Sequence, residues 1–238
     1  MDKIDTQNKD ELLTPFSLTE IHQVVFGMKR NKSPGLDGFP ADFYQDFWEV
    51  VKWDLKALVD SFAKGEINIA RLNNGIITLV PKTNDAKQTQ KFTPICLLNF
   101  SFKIITKVLV NRLATCVAPV ISRTQTTFIK GRYIMEGIVI LHEALNSFHK
   151  NKEDAQVFKV DFEKAYDKVK WPFLQQALRM KGFDPAWRNQ IDSFTQKGSV
   201  GIKVNDDVGH YFQTHKGLRQ GDPMSPILFN IVVDMLSI

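Results

Sequence analysis

An aspartate closing a run of alternating apolar residues is the first place in this sequence where chemistry could reside. The segment Val157 to Phe162 alternates in a way that predicts a strand, followed by Glu163-Lys164-Ala165-Tyr166-Asp167. On a strand, Phe158, Val160 and Phe162 would enter a core, leaving Val157, Lys159 and Asp161 on the other face. A carboxylate held there is a good ligand for a divalent ion in phosphoryl transfer. It could equally serve structure alone, paired with Lys159 or capping the next turn. The second candidate is Gly217-Leu218-Arg219-Gln220-Gly221-Asp222-Pro223-Met224-Ser225-Pro226. Its glycines, prolines and helix start would bring backbone donors close to Arg219 and Gln220. Such a loop could cradle a nucleotide or a strand backbone, or be a long structural turn. A third set is Lys82, Lys130 and Arg132, with Phe128 nearby, a mixture that suits nucleic acid but also suits a solvated surface. No Gly-rich phosphate loop, zinc-ligand spacing or Ser-His-Asp grouping is present, and the five histidines are scattered.

The elements that must position these residues can be read from caps and periodicity. Ser17-Leu18-Thr19-Glu20 fits a capping box, with Ile21, Val24, Val25 and Met28 following at helical spacing. After the loop Asn31 to Gly38, one long helix is expected from Pro40, with Phe43, Phe47, Val51, Leu55, Leu58 and Phe62 inward and Gly65 as its stop. Gly75 to Val80 reads as a buried strand ended by Pro81, followed by a polar loop from Lys82 to about Thr93. Helices are expected from Ser101 to about Val117 and from Tyr133 to His149. Another is marked by Pro172 at its start and Gly182 after its end. Ser199 to Val204 and Val208 to Gln213 flank Asn205-Asp206-Asp207 as a hairpin, and Ile227 to Leu236 closes the chain with a helical repeat. Strands interleaved with helices argue for an α/β or α+β fold.

Composition narrows the classes further. Of 238 residues, 43% are apolar and 24% charged, which excludes disorder and a coiled-coil rod. The net charge of +5 is compatible with a polyanionic partner without requiring one. Cys96 and Cys116 lie in apolar stretches and read as buried, reduced thiols. No apolar run is long enough to cross a membrane and the N-terminal residues are too polar for a signal peptide. An intracellular protein of nucleus or cytoplasm is therefore expected.

Six blocks occur in order: SPGLDG at 33–38, ITLVPK at 77–82, FTPICLLNFSFKIITKVLVNRL at 92–113, QTTFIKGR at 125–132, KVDFEKAYDKV at 159–169 and GLRQGDPMSPILF at 217–229. Together they resemble a reverse transcriptase of the LINE-type, non-LTR retrotransposons, and are most similar to copies typical of plant genomes. The resemblance implies a right-hand polymerase, with fingers over 1–152 (including an N-terminal extension), a partial palm over 153–238, and no thumb. It implies that Asp161 binds the two catalytic Mg2+ ions and that Tyr166 gates the ribose. Gln220 and Gly221 would face the incoming nucleotide and template, and Lys82 the triphosphate. Lys130, Arg132 and Arg219 would lie near nucleic-acid backbone. The implied partners are an RNA template, a DNA primer and dNTPs, with no membrane.

Two departures bear on activity. Thr93 stands where the family carries an arginine that reaches the triphosphate, and it supplies neither charge nor fork. The Tyr-x-Asp-Asp hairpin with the remaining metal carboxylates is not in this sequence. The expectation is a truncated, decayed copy: a fragment of an RNA-directed DNA polymerase that is inactive alone. The alternatives are a non-catalytic RNA- or DNA-binding remnant and a gene remnant without function. The final helix is expected to expose Ile227, Leu228, Ile231 and Val232 for want of that hairpin.

Overall fold

The structure, a computed structural model, describes residues 2–196, 198–205 and 207–236. The order of elements is α1 (Thr6–Leu13), α2 (Leu18–Gly27), α3 (Ala41–Asp46), α4 (Trp48–Ala63), β1 (Asn74–Pro81), β2 (Phe92–Leu98) and α5 (Phe100–Cys116). Next come α6 (Ile134–Asn151), α7 (Ala165–Lys168), α8 (Trp171–Met180), α9 (Pro185–Gln196), β3 (Ser199–Val204), β4 (Asp207–Val208), β5 (Phe212–Gln213) and α10 (Ser225–Asp234). This is the mixed α/β content the sequence leads one to expect.

The N-terminal part is held by caps and one arginine. The Ser17 hydroxyl accepts from the Glu20 amide, and Glu20 accepts from the Ser17 amide at 2.8 Å, so the capping box is complete. The same Glu20 carboxylate takes a two-pronged contact from Arg112 of α5, at 2.7 and 3.0 Å. The Arg112 guanidinium also lies 3.9 Å from the centroid of the Phe16 ring. The long helix expected from Pro40 is instead two helices broken at Phe47, whose ψ of 22° departs from helical geometry. The break changes the phase, so Trp48 is buried and Phe47, expected inside, is 53% exposed.

The sheet runs β2-β1-β3-β4, with β5 pairing a second stretch of β3. β1 is antiparallel to β2 and parallel to β3. β2 falls where a loop leading into a helix was expected. Pro94 cannot donate to a ladder, but β2 is the edge strand, so its proline is tolerated. A hairpin follows β3 as expected, but its returning strand, expected over Val208 to Gln213, begins at Asp207 and is split into β4 and β5; Asp206 lies outside the described residues. The sheet crosses the expected boundary at 152/153, since β1 and β3 are hydrogen-bonded neighbours. One continuous core draws on both sides of it, from Ile21 and Leu109 to Trp187 and Ile231.

Two expectations fail in the C-terminal half. No strand forms at Val157 to Phe162, and Phe158, Val160 and Phe162 are exposed, where a core was expected to receive them. The alternation is real, but no strand among the described residues pairs with it, so the backbone ladder that would fix the faces is missing. Conversely, Ile227, Leu228, Ile231 and Val232 are buried, because α10 packs on α8 and the core rather than awaiting a hairpin. The fully buried Lys181, just past α8, donates to Asp234 of α10 and to the Val120 carbonyl, tying three segments together.

Candidate functional site

The loop 217–226 is sutured to the elements on either side. The Gly217 amide donates to Val169 O at 2.7 Å and the Leu218 amide to Tyr166 O at 2.9 Å. Trp171 Nε1 returns a bond to Gly217 O at 2.8 Å. On the other flank, the Cys96 amide of β2 donates to Gln220 O at 2.8 Å, so the loop caps the free edge of the sheet. Gly221 has φ +109°, which only glycine adopts readily, and a Cβ there would stand 2.5 Å from Cys96 O. The Tyr166 ring stacks on Phe229 of α10 with centroids 4.4 Å apart, and burial pushes its hydroxyl pKa up. Tyr166, Gln220 and Gly221 are thus brought into one region. Beside them, Asp167, Arg219, Gln220, Ile77 and Pro94 line a cleft of about 430 Å³.

Arg219 does not point outward as a backbone-binding residue would. Its Nη2 donates to Phe194 O at 3.3 Å and lies 3.8 Å from Asp222, and its guanidinium is 5.2 Å from the Phe102 centroid. Asp222 is buried and accepts from the Met224 amide at 3.0 Å. Burial pushes its carboxyl up, and Arg219 is the first of the groups opposing that shift. Arg132 is likewise turned to the protein. Its two terminal nitrogens donate to the carbonyls of Ala118, Ile121, Ser122 and Gln125, which organise the loop before it. Both arginines were expected on a nucleic-acid backbone; instead Arg132 grips carbonyls of the loop before it, and Arg219 reaches the Phe194 carbonyl of α9 and lies beside Asp222.

Lys82 and Lys130 remain exposed. Lys82 lies where the β1–β2 ladder continues past Pro81: its amide donates to Lys91 O, and Nζ reaches Gln90 O at 3.3 Å. Thr93 pairs with Val80 at the same end of that hairpin. Asp161 is exposed on the irregular segment 153–164. Two divalent ions need several oxygen ligands converging within bonding distance. Among the described residues no group of three His, Cys, Asp or Glu side chains converges in that way. Asp161 therefore does not fit a two-ion site with the residues present.

Sequence reasoning assigned no partner to SPGLDG. A Cβ on Gly35 would stand 2.4 Å from the Asn99 amide nitrogen, and Asn99 Oδ1 accepts from the Asp37 amide at 3.2 Å. Burial lowers the pKa of Lys103 on α5, while Cys96, Asp222 and Asp37 oppose that shift. Burial and the Asp37 charge push the Tyr44 hydroxyl up to about 12. The loops of the first and last blocks therefore share one electrostatic neighbourhood around β2 and α5. Asp222, the acidic residue in GLRQGDP, was legible as a residue type, but its burial was not.

Residues 80–237 match the family described as reverse transcriptase (RNA-dependent DNA polymerase). The chain is 28% identical over 232 residues to the transposon TX1 uncharacterized 149 kDa protein of Xenopus laevis, covering 97% of this chain and 18% of that protein. It is 26% identical over 157 residues to the retrovirus-related Pol polyprotein from type-2 retrotransposable element R2DM of Drosophila melanogaster, covering 66% of this chain and 15% of that protein. The chain thus spans less than a fifth of either relative, and neither bears on the expected likeness to plant copies. Among solved structures, a chain of the Cas6-RT-Cas1–Cas2 complex superposes with a TM-score of 0.52 over 96% of this chain and 21% of that one, at 18% identity. That likeness is one of fold.

Proposed function

The chain belongs to the reverse transcriptase family, and on that premise we propose that it forms the fingers and first part of the palm of an RNA-directed DNA polymerase. The relatives named above are proteins of transposable elements, as the LINE-type, non-LTR resemblance requires. The observation that carries the proposal is the suture between Gln220 O and the Cys96 amide, with Gly221 pressed against Cys96 O. It holds the 217–226 loop on the sheet edge beside Tyr166 and the cleft. In this reading Gln220 and Gly221 lie against the incoming nucleotide and template, and Tyr166 supplies bulk beneath the sugar. Lys82 attracts the triphosphate and Lys130 the strand backbone. The partners are an RNA template, a DNA primer and dNTPs.

Members of this family use divalent metal ions; Asp161 is the ligand that the resemblance implies, and no group of three His, Cys, Asp or Glu among the described residues completes a site around it. Its exposed, unpaired segment favours a second reading for these 238 residues by themselves: nucleic-acid binding without catalysis. Primer extension on a homopolymer template with Mg2+ separates the two. The expected result is no synthesis above background, together with salt-sensitive binding of an RNA–DNA hybrid. Each phosphate neutralised contributes about 0.7 to 0.9 to the magnitude of the logarithmic salt slope, and Lys130 on the strand backbone supplies one such contribution. Extension abolished by Asp161→Ala would overturn the non-catalytic reading, and an absence of binding at low salt would overturn both.

A further inference from the structure

The segment 126–130 is an irregular loop fastened from two sides. Asn230 of α10 donates to Thr127 O, and Ile129 is buried. Arg132, immediately beyond it, grips the carbonyls of 118–125. Between these anchors Phe128 is held at φ +58° with 61% of its surface exposed. A bulky side chain in the left-handed region, pointing to solvent from a fastened loop, is explained neither by core packing nor by turn chemistry.

Phe128 borders a groove of about 600 Å³ between this loop, α5 and the start of α10. From α5, Lys107, Asn111 and Ala114 line it at i, i+4 and i+7, one stripe of the helix. Lys130 lines it from the loop, and Pro223 and Pro226 form the wall by α10. Two lysines and no carboxylate line the groove, so its charge favours an anionic strand. An exposed ring on a rigid loop offers a flat face for a base.

We propose that this groove binds a single strand of nucleic acid, with one base stacked on Phe128 and the flanking phosphates on Lys107 and Lys130. The proposal rests on the nucleic-acid reading above and adds to it a specific strand path with an aromatic platform. Asn111 is exposed beside Lys107 and offers both a donor and an acceptor to a base edge.

The test is fluorescence anisotropy of a labelled short oligouridylate titrated with the 238-residue chain at several salt concentrations. Phe128→Ala is expected to weaken binding about 5- to 150-fold, the loss of one stacked base, without changing the salt slope. Phe128→Trp should restore binding and add tryptophan quenching on titration. Lys107→Ala with Lys130→Ala should instead reduce the magnitude of the slope by about 1.4 to 1.8. Circular dichroism of each variant checks that the fold is retained. If Phe128→Ala binds as tightly as the parent chain, the groove is not the strand path, and the nucleic-acid reading survives without it. That is also the outcome if the groove takes an apolar peptide. If the parent chain itself fails to bind at low salt, the nucleic-acid reading and this inference fall together.

Discussion

Gly221 and Cys96 approach so closely that a methyl group on the glycine would stand 2.5 Å from the cysteine's carbonyl oxygen. The φ of +109° adds a second reason why no other residue fits. Gly221→Ala must therefore either lift the loop off β2 or distort the edge of the sheet. The expected cost is about 2 kcal/mol or more, read as a lower urea midpoint. Hydrogen exchange should show faster exchange of the Cys96 amide, whose acceptor is Gln220 O. An alanine variant with the parent's midpoint and protection would show that the contact does not hold the loop.

Arg132 and Lys130 are two residues apart yet should behave differently. Arg132→Ala removes the guanidinium from the carbonyls of Ala118, Ile121, Ser122 and Gln125, of which Ser122 O keeps a backbone donor in the Gln125 amide, and this should cost about 1–3 kcal/mol of stability. It should leave the salt slope of nucleic-acid binding unchanged. Lys130→Ala should leave stability unchanged and reduce the slope's magnitude by about 0.7 to 0.9. Urea melts and salt titrations on the two variants decide it, and the reverse pattern would mean that the Arg132 fork is free to meet phosphate.

How much of this was legible in the sequence depended on whether the deciding contacts were local. The cap of α2 and the Pro172–Gly182 frame of α8 use partners within a few residues, and both could be read directly. Helix α9, which no expectation above includes, carries a comparable local signal. Asp184 accepts from the Ala186 amide at 2.7 Å, Pro185 opens the helix, and Trp187, Ile191 and Phe194 follow at helical spacing. β2 was hidden by Pro94, whose tolerance depends on edge position, a property of the assembled sheet. The alternation at 157–162 was read correctly as a period, but a strand also needs a neighbour. At the site, residue type located the loop and its glycines. It could not say that Arg132 and Arg219 turn their charge into the protein, because the carbonyls that receive them are groups any sequence carries, and the approach of Arg219 to Asp222 and Phe102 is set by the assembled fold.

Glu20 makes part of the stability depend on pH. Burial raises its carboxyl, but the hydrogen bonds from Arg112 and from the Ser17 amide and hydroxyl outweigh that, and the net shift is downward. A carboxyl whose folded pKa is lowered contributes stability above its unfolded value and loses it as pH falls through the folded one. Glu20→Gln should therefore be less stable than the parent chain near neutrality. The gap should close on acidification below about pH 4.3, the unperturbed value for glutamate. Denaturation midpoints of both proteins across that range test this, and a gap that stays constant down to pH 3 would remove the charge from the account.

The apolar surface expected on α10 is found instead on α6. Ile134, Ile138, Leu141, Leu145 and Phe148 recur at alternating spacings of four and three, the seam of a packed helix, and each is at least 41% exposed. None of the described residues of α6 is buried, and Phe158, Val160 and Phe162 add further exposed apolar area after it. Contiguous apolar surface of this extent drives association, whereas scattered single residues do not. The 238-residue chain should therefore associate as its concentration rises. Ile138→Lys with Leu141→Lys should suppress that association while leaving the melting temperature near the parent's, since neither side chain contributes to the core. Sedimentation velocity over a concentration series, paired with thermal melts, measures both effects. A parent chain that stays monomeric throughout would show that this helix face does not drive association, and a variant with a much lower melting temperature would show that the seam is packed in solution.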